Sequence, residues 1–296
     1  MDFFKRGIRE DFSDIPVVFF LGGEGSRMED LAYKHVVLSK QWLPIGFDEN
    51  NEPIPLFWPI FEILQELGFR EFYILINENE KKVKKYFEKK FKGTNVNIQL
   101  LNKENISEKV KLEGLNIYIF KQKEKGTGNA LIEIKEAIGK RPFLEVFADE
   151  YLGGEKEKIK KEIKFFIDSS LQKIREKEAI KVFALVDKKI AIGSIWGGMT
   201  MGENGRIITS NDGDFVTTSI CLSSSDFFNI LKSKKSSSKV LDVTFPQILS
   251  ELVELQKAYG KIINIDFFAN VNTPQDYFKL VSYLNTRRIE REKQKE

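Results

Sequence analysis

Cysteine and histidine are almost absent from this chain of 296 residues, which contains one of each. Cys221 therefore has no partner for a disulfide, and a zinc site built on several cysteines is excluded. His35 cannot supply the two histidines of an HExxH metalloprotease, and a Ser-His-Asp triad or a zinc deaminase would depend on this one imidazole. Most enzyme classes that work through histidine are therefore disfavoured.

Long apolar runs and an excess of one charge are also missing. The longest apolar runs, residues 17–21 and 72–76, are far shorter than the ~20 residues of a membrane span, and residues 1–12 lack the apolar core of a signal peptide. The 47 basic and 44 acidic residues alternate along most of the chain, which is typical of a solvated, ion-paired surface. We therefore expect a cytoplasmic protein that binds neither membrane nor nucleic acid.

Apolar segments rich in β-branched and aromatic residues alternate with segments of helical periodicity. Strands are predicted at residues 17–21, 71–77, 116–120, 143–149 and 179–186. Helices are predicted at residues 58–68, 78–91, 128–138 and 156–178. Nearly continuous apolar strands separated by helices favour an α/β fold with a Rossmann-like, mostly parallel central sheet and helices on both faces. Short glycine-punctuated strands in residues 188–225 predict a small antiparallel appendage.

The first predicted strand runs into a loop that contains Gly22, Gly23 and Gly25. A backbone without Cβ atoms can turn tightly and present its N–H groups to an anion, and Arg27 adds a permanently charged group suited to phosphate oxygens. A plain tight turn with Arg27 at the surface explains the same pattern equally well. A Walker loop is excluded because its Gly-Lys-Ser/Thr is missing, and Met28 replaces the third glycine of a dinucleotide fingerprint.

Five short motifs follow one another in the order found in the nucleotidyltransferases that activate sugar 1-phosphates. They are LGGEGSR (21–27), SKQWLP (39–44), GTGNA (126–130), FAD (147–149) and NVNTPQDY (270–277). Across residues 17–280 the chain resembles that superfamily, which implies a single GT-A-type domain over residues 1–296. By the same resemblance, the nucleotide-binding part covers about 15–150, the acceptor-binding part about 151–280, and a charged helix ends the chain at 274–296.

The resemblance also implies a reaction, in which an NTP and a sugar 1-phosphate give an NDP-sugar and pyrophosphate with the help of Mg²⁺. Arg27 and Lys40 would be the catalytic cations, and Asp149 and Asn270 would bind the metal. The nucleotide would be held by Leu21, Gly22, Gly23, Gly25, Ser26, Gln122, Gly126 and Thr127. A phosphate monoester is largely dianionic at neutral pH, so the acceptor needs no side-chain base.

Plainer structural roles remain open for several of these residues. Arg27 and Lys40 could be ordinary surface cations, Asp149 could cap the turn after a strand, and Asn270 could be a turn residue before a helix. Ligands of open parallel sheets lie beyond the carboxyl ends of the strands. We therefore expect the residues after the strand at 17–21 and those at the end of the strand at 143–149 to share one crevice.

The residues around the last motif also have structural interpretations. Thr273 as N-cap, a proline after it and Asp276 in the first turn predict a helix start, so Asp276 is interpreted as a capping residue. Glu150 follows the proposed metal ligand Asp149 directly. It is expected to point to the opposite face, as neighbouring residues of a strand do.

Departures from the superfamily pattern leave the substrates open. Residues 210–214 (SNDGD) replace the Glu-Lys-Pro segment whose lysine contacts the sugar phosphate, so Lys181, Lys188 or Lys189 would have to substitute. The nucleobase is undetermined, because Lys121 stands where many relatives have a base-reading glutamine, one residue before Gln122.

Two other functions therefore remain as alternatives. The acceptor could be a phosphorylated cofactor or alcohol instead of a sugar, or the chain could be a nucleotide-binding regulator without turnover. Retention of Arg27, Lys40 and Asp149 favours catalysis. The charged C-terminal helix could pack on a second copy of the chain, which would make a homo-oligomer, or remain solvated.

Overall fold

The computed structural model describes residues 11–22, 39–77, 79–124, 126–193, 198–209, 213–237 and 245–293. Within these ranges the helices are α1 (Trp58–Glu66), α2 (Glu80–Lys90), α3 (Thr127–Ile138), α4 (Lys156–Arg175), α5 (Phe227–Ser237), α6 (Phe245–Glu254) and α7 (Pro274–Lys293). The strands are β1 (Val17–Phe20), β2 (Pro44–Phe47), β3 (Pro53–Pro55), β4 (Glu71–Ile76), β5 (Val96–Leu101), β6 (Leu115–Lys121), β7 (Phe143–Phe147), β8 (Glu150–Gly153), β9 (Lys181–Asp187), β10 (Ala191–Gly193), β11 (Met199–Met201), β12 (Ile207–Thr209), β13 (Phe215–Ser223), β14 (Ala258–Ile262) and β15 (Phe267–Asn270).

The central sheet is built around a parallel block in the order β7-β1-β4-β6-β5. The long strand β13 pairs antiparallel with both β7 and β9, and its residues 221–223 pair with both strands. Strand β14 pairs with β9 in parallel. The predicted α/β fold with a mostly parallel central sheet is confirmed. Strand β5 was not predicted, because its side chains are only half-buried and it lies at the edge of the sheet.

The side chains of the parallel strands alternate between two apolar layers. In β1, Val17 and Phe19 pack into one layer, and Val18 and Phe20 pack into the other. Helices α1, α2 and α4 contribute to the first layer, whereas α3, α5 and α6 contribute to the second. Because both faces of the strand are covered, every position can be apolar, which explains the uninterrupted hydrophobic runs in the sequence.

The predicted antiparallel region is present but divided between two sheets. Strands β11, β12 and β13 extend the central sheet, with antiparallel pairing throughout. Strand β10 instead joins β15 and β8 in a separate three-stranded sheet. Strands β2 and β3 form a short hairpin of their own. In the part of the chain that the structure covers, no helix combines the length and apolar character needed to cross a membrane.

A buried ion pair lies where β7 and β9 are both bonded to β13. The Lys181 ammonium is 2.6 and 2.7 Å from the two carboxylate oxygens of Glu145, and the hydroxyl of Ser223 also donates to this carboxylate. Both charged side chains are only 1–2% exposed. Two charges at this depth are stable only as a hydrogen-bonded pair.

Removal of one member of this pair should destabilise the fold strongly. We expect Lys181→Met to lower the free energy of unfolding by about 3–5 kcal/mol, because the Glu145 carboxylate is left buried without its cation. The double variant Glu145→Leu with Lys181→Met should recover most of this loss. Urea unfolding measures both, with Lys158→Met as control: its 2.6 Å pair with Asp266 is exposed and should contribute less than about 1 kcal/mol. Equal losses in the single variants at 181 and 158 would contradict this account.

A second buried carboxylate, Glu71, lies at the start of β4. Arg141 binds it with both terminal nitrogens at 2.8 and 2.9 Å, the Tyr73 hydroxyl donates to it at 2.6 Å, and the Lys109 ammonium is 3.1 Å away. Burial alone would raise the pKa of Glu71. The hydrogen bonds from Arg141 and Tyr73 and the nearby positive charges outweigh burial, so the pKa lies well below its usual value of 4.5.

The low pKa of Glu71 makes stability depend on pH in the acid range. Folding favours the ionised form of Glu71. The contribution of this carboxylate to the free energy of unfolding is therefore complete above about pH 4.5 and is lost as the pH falls towards the pKa of the folded state. The difference in unfolding free energy between the natural chain and Glu71→Gln should therefore shrink by about 1.4 kcal/mol per pH unit below pH 4.5. Urea unfolding at pH 3, 4, 5 and 6 measures this slope. A constant difference down to pH 3 would show that the pKa is not lowered.

Candidate active site

The register of the parallel strands aligns their carboxyl ends in one row. Hydrogen-bonded neighbours in this row are Phe147, Phe20, Leu75 and Phe120. Two residues further along each strand, the chain reaches Asp149, Gly22, Asn77 and Gln122, in that order across the sheet. With strands about 4.8 Å apart, this second row spans about 14 Å. Ligands of open parallel sheets bind at this edge.

The motif at residues 39–44 is held against the end of β1. The Ser39 hydroxyl donates to the carbonyl oxygen of Leu21 at 3.1 Å, and a short 3-10 helix, Lys40–Trp42, begins there. The Trp42 ring packs edge-on against Phe57 at 5.0 Å between centroids. Tertiary contacts therefore place Lys40 beside the carboxyl edge although it is not part of any strand of the sheet.

Lys40 contacts Asp149 from the motif at residues 147–149 and Asn272 from the motif at residues 270–277. Its ammonium nitrogen lies 2.6 Å from Oδ2 of Asp149 and 2.6 Å from Oδ1 of Asn272. The side chain of Lys40 is 10% exposed and that of Asp149 is 22% exposed. Lys40 is therefore not an ordinary surface cation, which was the alternative left open by the sequence.

The hydrogen bonds continue from Lys40 through two amides to a second carboxylate. The Asn272 amide nitrogen donates to Oδ1 of Asn270 at 2.5 Å, and the Asn270 amide nitrogen donates to Oε1 of Glu150 at 3.1 Å. We call Asp149, Lys40, Asn272, Asn270 and Glu150 the site network. It joins two carboxylates, one ammonium and two amides at the carboxyl edge of the sheet.

The expectation that Glu150 points away from the site is wrong. Strand β7 ends at Phe147, two turn residues follow, and Glu150 begins β8, which pairs with β15 so that Glu150 lies directly opposite Asn270. Asp149 and Glu150 therefore do not alternate as residues of one strand. The sequence signal missed here is the charged, glycine-containing stretch after residue 149, which is typical of a chain that leaves the sheet.

The start of α7 holds the network in place. The Asp276 carboxylate accepts from the backbone N–H of Asn272 at 3.2 Å and of Thr273 at 2.9 Å, while the Thr273 hydroxyl accepts from the Asp276 N–H at 3.2 Å. This reciprocal pair is a capping box, so the interpretation of Asp276 as a capping residue is confirmed. The backbone N–H of Val271 donates to the carbonyl of Asp149 at 2.9 Å, which joins β15 to the end of β7.

Gly193 allows the small sheet to approach the network. It has φ of +93°, and a Cβ atom there would lie 2.2 Å from the carbonyl oxygen of Asn270. The short 3-10 helix that precedes β10 carries Lys188 and Lys189, which are both exposed. Lys181 was the third candidate for an acceptor-binding lysine, and that candidate is wrong because the side chain is buried against Glu145.

The predicted nucleotide-binding residues lie along the same edge where the structure describes them. Gly22 is in contact with the neighbouring strand end, since a Cβ on it would lie 2.9 Å from the Asn77 backbone nitrogen. The Gln122 N–H donates to Ile76 at 3.0 Å, in line with the parallel ladder. The predicted residues Gly23, Gly25, Ser26 and Arg27 lie outside the described residues, as does His35.

The segment after β6 turns sharply into α3. Gly126 is its N-cap with φ of +95°, a conformation that favours glycine, and Thr127 is the first helical residue. Lys121 is 3.7 Å from the carboxylate of Glu80 and is thereby directed towards α2. Lys121 is the last residue of β6, and Gln122 is the first residue after this strand.

The donor atoms of the network suit a hard divalent cation. Oxygens of Asp149 and Asn272 already converge on the Lys40 ammonium at 2.6 Å, which shows that they form a cation-binding arrangement. Mg²⁺ prefers carboxylate and amide oxygens, and takes one or two from the protein when phosphates and water complete its shell. No larger group of three or more His, Cys, Asp or Glu side chains suited to a metal occurs among the residues described. Asp149 with Asn270 beside it could hold Mg²⁺.

The arrangement of strands and helices is similar to the fold of solved nucleotidyltransferases. Two structures of UDP-glucose pyrophosphorylase are similar to the chain. The UDP-glucose complex has a TM-score of 0.63 and 17% identity, covering 92% of this chain and 99% of that one. The apo enzyme has a TM-score of 0.60 and 19% identity over 93% and 99%. The inositol-1-phosphate CTP transferase from T. maritima has a TM-score of 0.60 and 12% identity over 93% and 97%.

At these identities the likeness concerns the fold. No protein-family model matches the sequence, and no curated protein matches it.

Loss of the capping box should loosen the start of α7. We expect Asp276→Ala to lower the free energy of unfolding by about 1–2 kcal/mol, because the N–H groups of Asn272 and Thr273 lose their acceptor. Thermal or urea unfolding measures the change. Asp276→Glu keeps a carboxylate at the third helical position and should recover part of the loss. An unchanged stability for Asp276→Ala would show that the box contributes nothing.

Proposed function

We propose that this chain is a Mg²⁺-dependent nucleotidyltransferase that joins an NTP to a phosphorylated acceptor and releases pyrophosphate. The observation that supports the proposal is the convergence of Lys40, Asp149 and Asn270 through Asn272 at the carboxyl edge of the sheet. Three sequence motifs far apart in the chain meet there, and the fold is one in which the neighbours named above are nucleotidyltransferases.

The reaction requires charge compensation and alignment more than proton transfer. A phosphate monoester is mostly dianionic at neutral pH and can attack the α-phosphate without a base. Lys40, on the short helix after β1, is positioned to offset negative charge on a triphosphate, and Arg27 is assigned the same task by the motif it belongs to. The edge residues Gly22 and Gln122 would orient the nucleotide, which makes the attack in-line.

Asp149 and Asn270 are the residues we assign to the metal. Bound Mg²⁺ would supply positive charge to the phosphate oxygens around the reacting centre. Asn270 contributes an amide oxygen without charge, and its other amide atom is held by Glu150 at 3.1 Å. The site therefore keeps a second carboxylate near the metal position although the residue at 270 is neutral.

We propose a sugar 1-phosphate as the acceptor, with another phosphorylated alcohol or cofactor as the second candidate. Two neighbours of similar fold are described with different small molecules. One is a complex with UDP-glucose, an NDP-sugar, and the other has inositol 1-phosphate in its name. Lys188 and Lys189 are the cations we assign to the acceptor phosphate. They are exposed and lie on the segment that leads into β10 beside Asn270.

A pyrophosphate-release assay tests the proposal. The protein is incubated with Mg²⁺, each of ATP, GTP, CTP, UTP and dTTP, and a panel of sugar 1-phosphates, inositol 1-phosphate and non-sugar phosphomonoesters. Release with a sugar 1-phosphate supports the leading assignment, and release only with another acceptor supports the second. Tight NTP binding without release for any pair would indicate a nucleotide-binding regulator and overturn the enzymatic proposal.

Asp149→Asn tests the residue assignment. We expect the turnover rate to fall by about 100-fold or more, because the carboxylate that holds the metal is replaced by a neutral group of the same shape. The matched control is Asp266→Asn, whose carboxylate forms an exposed 2.6 Å pair with Lys158 away from the edge. Turnover should be unchanged in the control. A normal rate in Asp149→Asn would remove this residue from the reaction.

A further inference from the structure

Lys40 has one charge and two competing tasks. In the proposed reaction it neutralises phosphate oxygens, but in this structure its ammonium lies 2.6 Å from the carboxylate assigned to the metal. The carbonyl oxygen of the Asn272 amide, also at 2.6 Å, is the second acceptor of the same ammonium. While Lys40 stays in place, its positive charge lies against the Asp149 carboxylate and competes with a metal ion for that group.

We propose that Lys40 is an internal cation that pairs with the Asp149 carboxylate in place of a metal ion and exchanges onto the polyphosphate when substrate binds. This exchange depends on the proposed function and concerns the regulation of the same site. Because of it, Asp149 binds a metal ion weakly in the absence of a polyphosphate and more strongly in its presence.

The burial of the pair gives the exchange its energetic basis. The side chains of Lys40 and Asp149 are 10% and 22% exposed, so both charges are partly removed from water and are costly to separate without a replacement partner. A divalent cation can replace Lys40 at the carboxylate only if the displaced ammonium finds another anion. A polyphosphate provides that anion. Binding of the two ligands is then coupled, and the coupling is reciprocal.

Asn272 acts in this exchange as a positioning residue. Its backbone N–H is held by Asp276, and its amide nitrogen donates to Asn270 at 2.5 Å, so its carbonyl oxygen is directed at Lys40. The resting position of the ammonium is therefore defined by a rigid amide as well as by the charge of Asp149.

Two binding measurements on the full chain test the exchange without using turnover. Mn²⁺, as a probe for Mg²⁺, is titrated in the absence of any phosphate and followed by the EPR signal of the free ion. Tripolyphosphate is titrated separately in EDTA by calorimetry. For Lys40→Met we expect Mn²⁺ to bind at least tenfold more tightly and tripolyphosphate at least tenfold more weakly. A variant that only disturbed the structure would weaken both.

Lys89→Met is the matched control. Lys89 also lies close to a carboxylate, 2.7 Å from Glu52, but this pair is exposed and is on the β2-β3 hairpin side of α2. Neither affinity should change in this variant. Thermal unfolding of both variants verifies that they are folded at the titration temperature.

Asp149→Asn in the Lys40→Met background identifies the metal position. We expect it to abolish the gain in Mn²⁺ affinity. If Lys40→Met leaves Mn²⁺ binding unchanged while Asp149→Asn weakens it, the exchange is wrong and the metal assignment stands. If Asp149→Asn has no effect on Mn²⁺ in either background, the metal assignment of the proposed function is wrong as well.

Discussion

The parallel pairing of β7, β1, β4 and β6 is the constraint on which the rest of the molecule depends. Parallel strands in register end at the same edge, so residues that follow them along the chain are forced to be neighbours in space. The strands can be apolar on both faces because helices cover each side of the sheet. The site network forms beyond the carboxyl ends of these strands.

The site network is formed by residues that are far apart in the sequence. Lys40 comes from a short helix after β1, Asp149 from the turn after β7, and Asn272 from the turn between β15 and α7. The three-stranded sheet β10-β15-β8 positions the turn that carries Asn272. In this sheet Asn270 pairs with Glu150 on one side and with Gly193 on the other. Short strands and turns at the edge of the central sheet therefore determine how the residues of the site network are arranged.

Three of the five residues in the site network carry the charge. Asn270 is neutral, and the carboxylate next to it belongs to Glu150, which holds the amide by a hydrogen bond of 3.1 Å. A single ammonium, Lys40, lies between the Asp149 carboxylate and the first amide of the series. Among the five residues of the site network, one cation and two carboxylates leave a net negative charge.

The amino-acid sequence by itself determined the α/β class, the parallel sheet and the identity of Lys40, Asp149 and Asn270 as site candidates. Periodicity of apolar residues carries the fold class, and the site candidates follow from short motifs that resemble those of the sugar 1-phosphate nucleotidyltransferases. Both are properties of short segments. The capping box at Thr273 and Asp276 belongs to the same group, since its partners are three residues apart. Tertiary structure alone decided that Glu150 enters the network, that Asn272 links Lys40 to Asn270, and that Lys181 is buried with Glu145. Those outcomes depend on which strands pair and where a strand ends. The partners are separated by 36 residues for Lys181 and Glu145, 120 for Asn270 and Glu150, and 232 for Lys40 and Asn272, so they leave no local pattern.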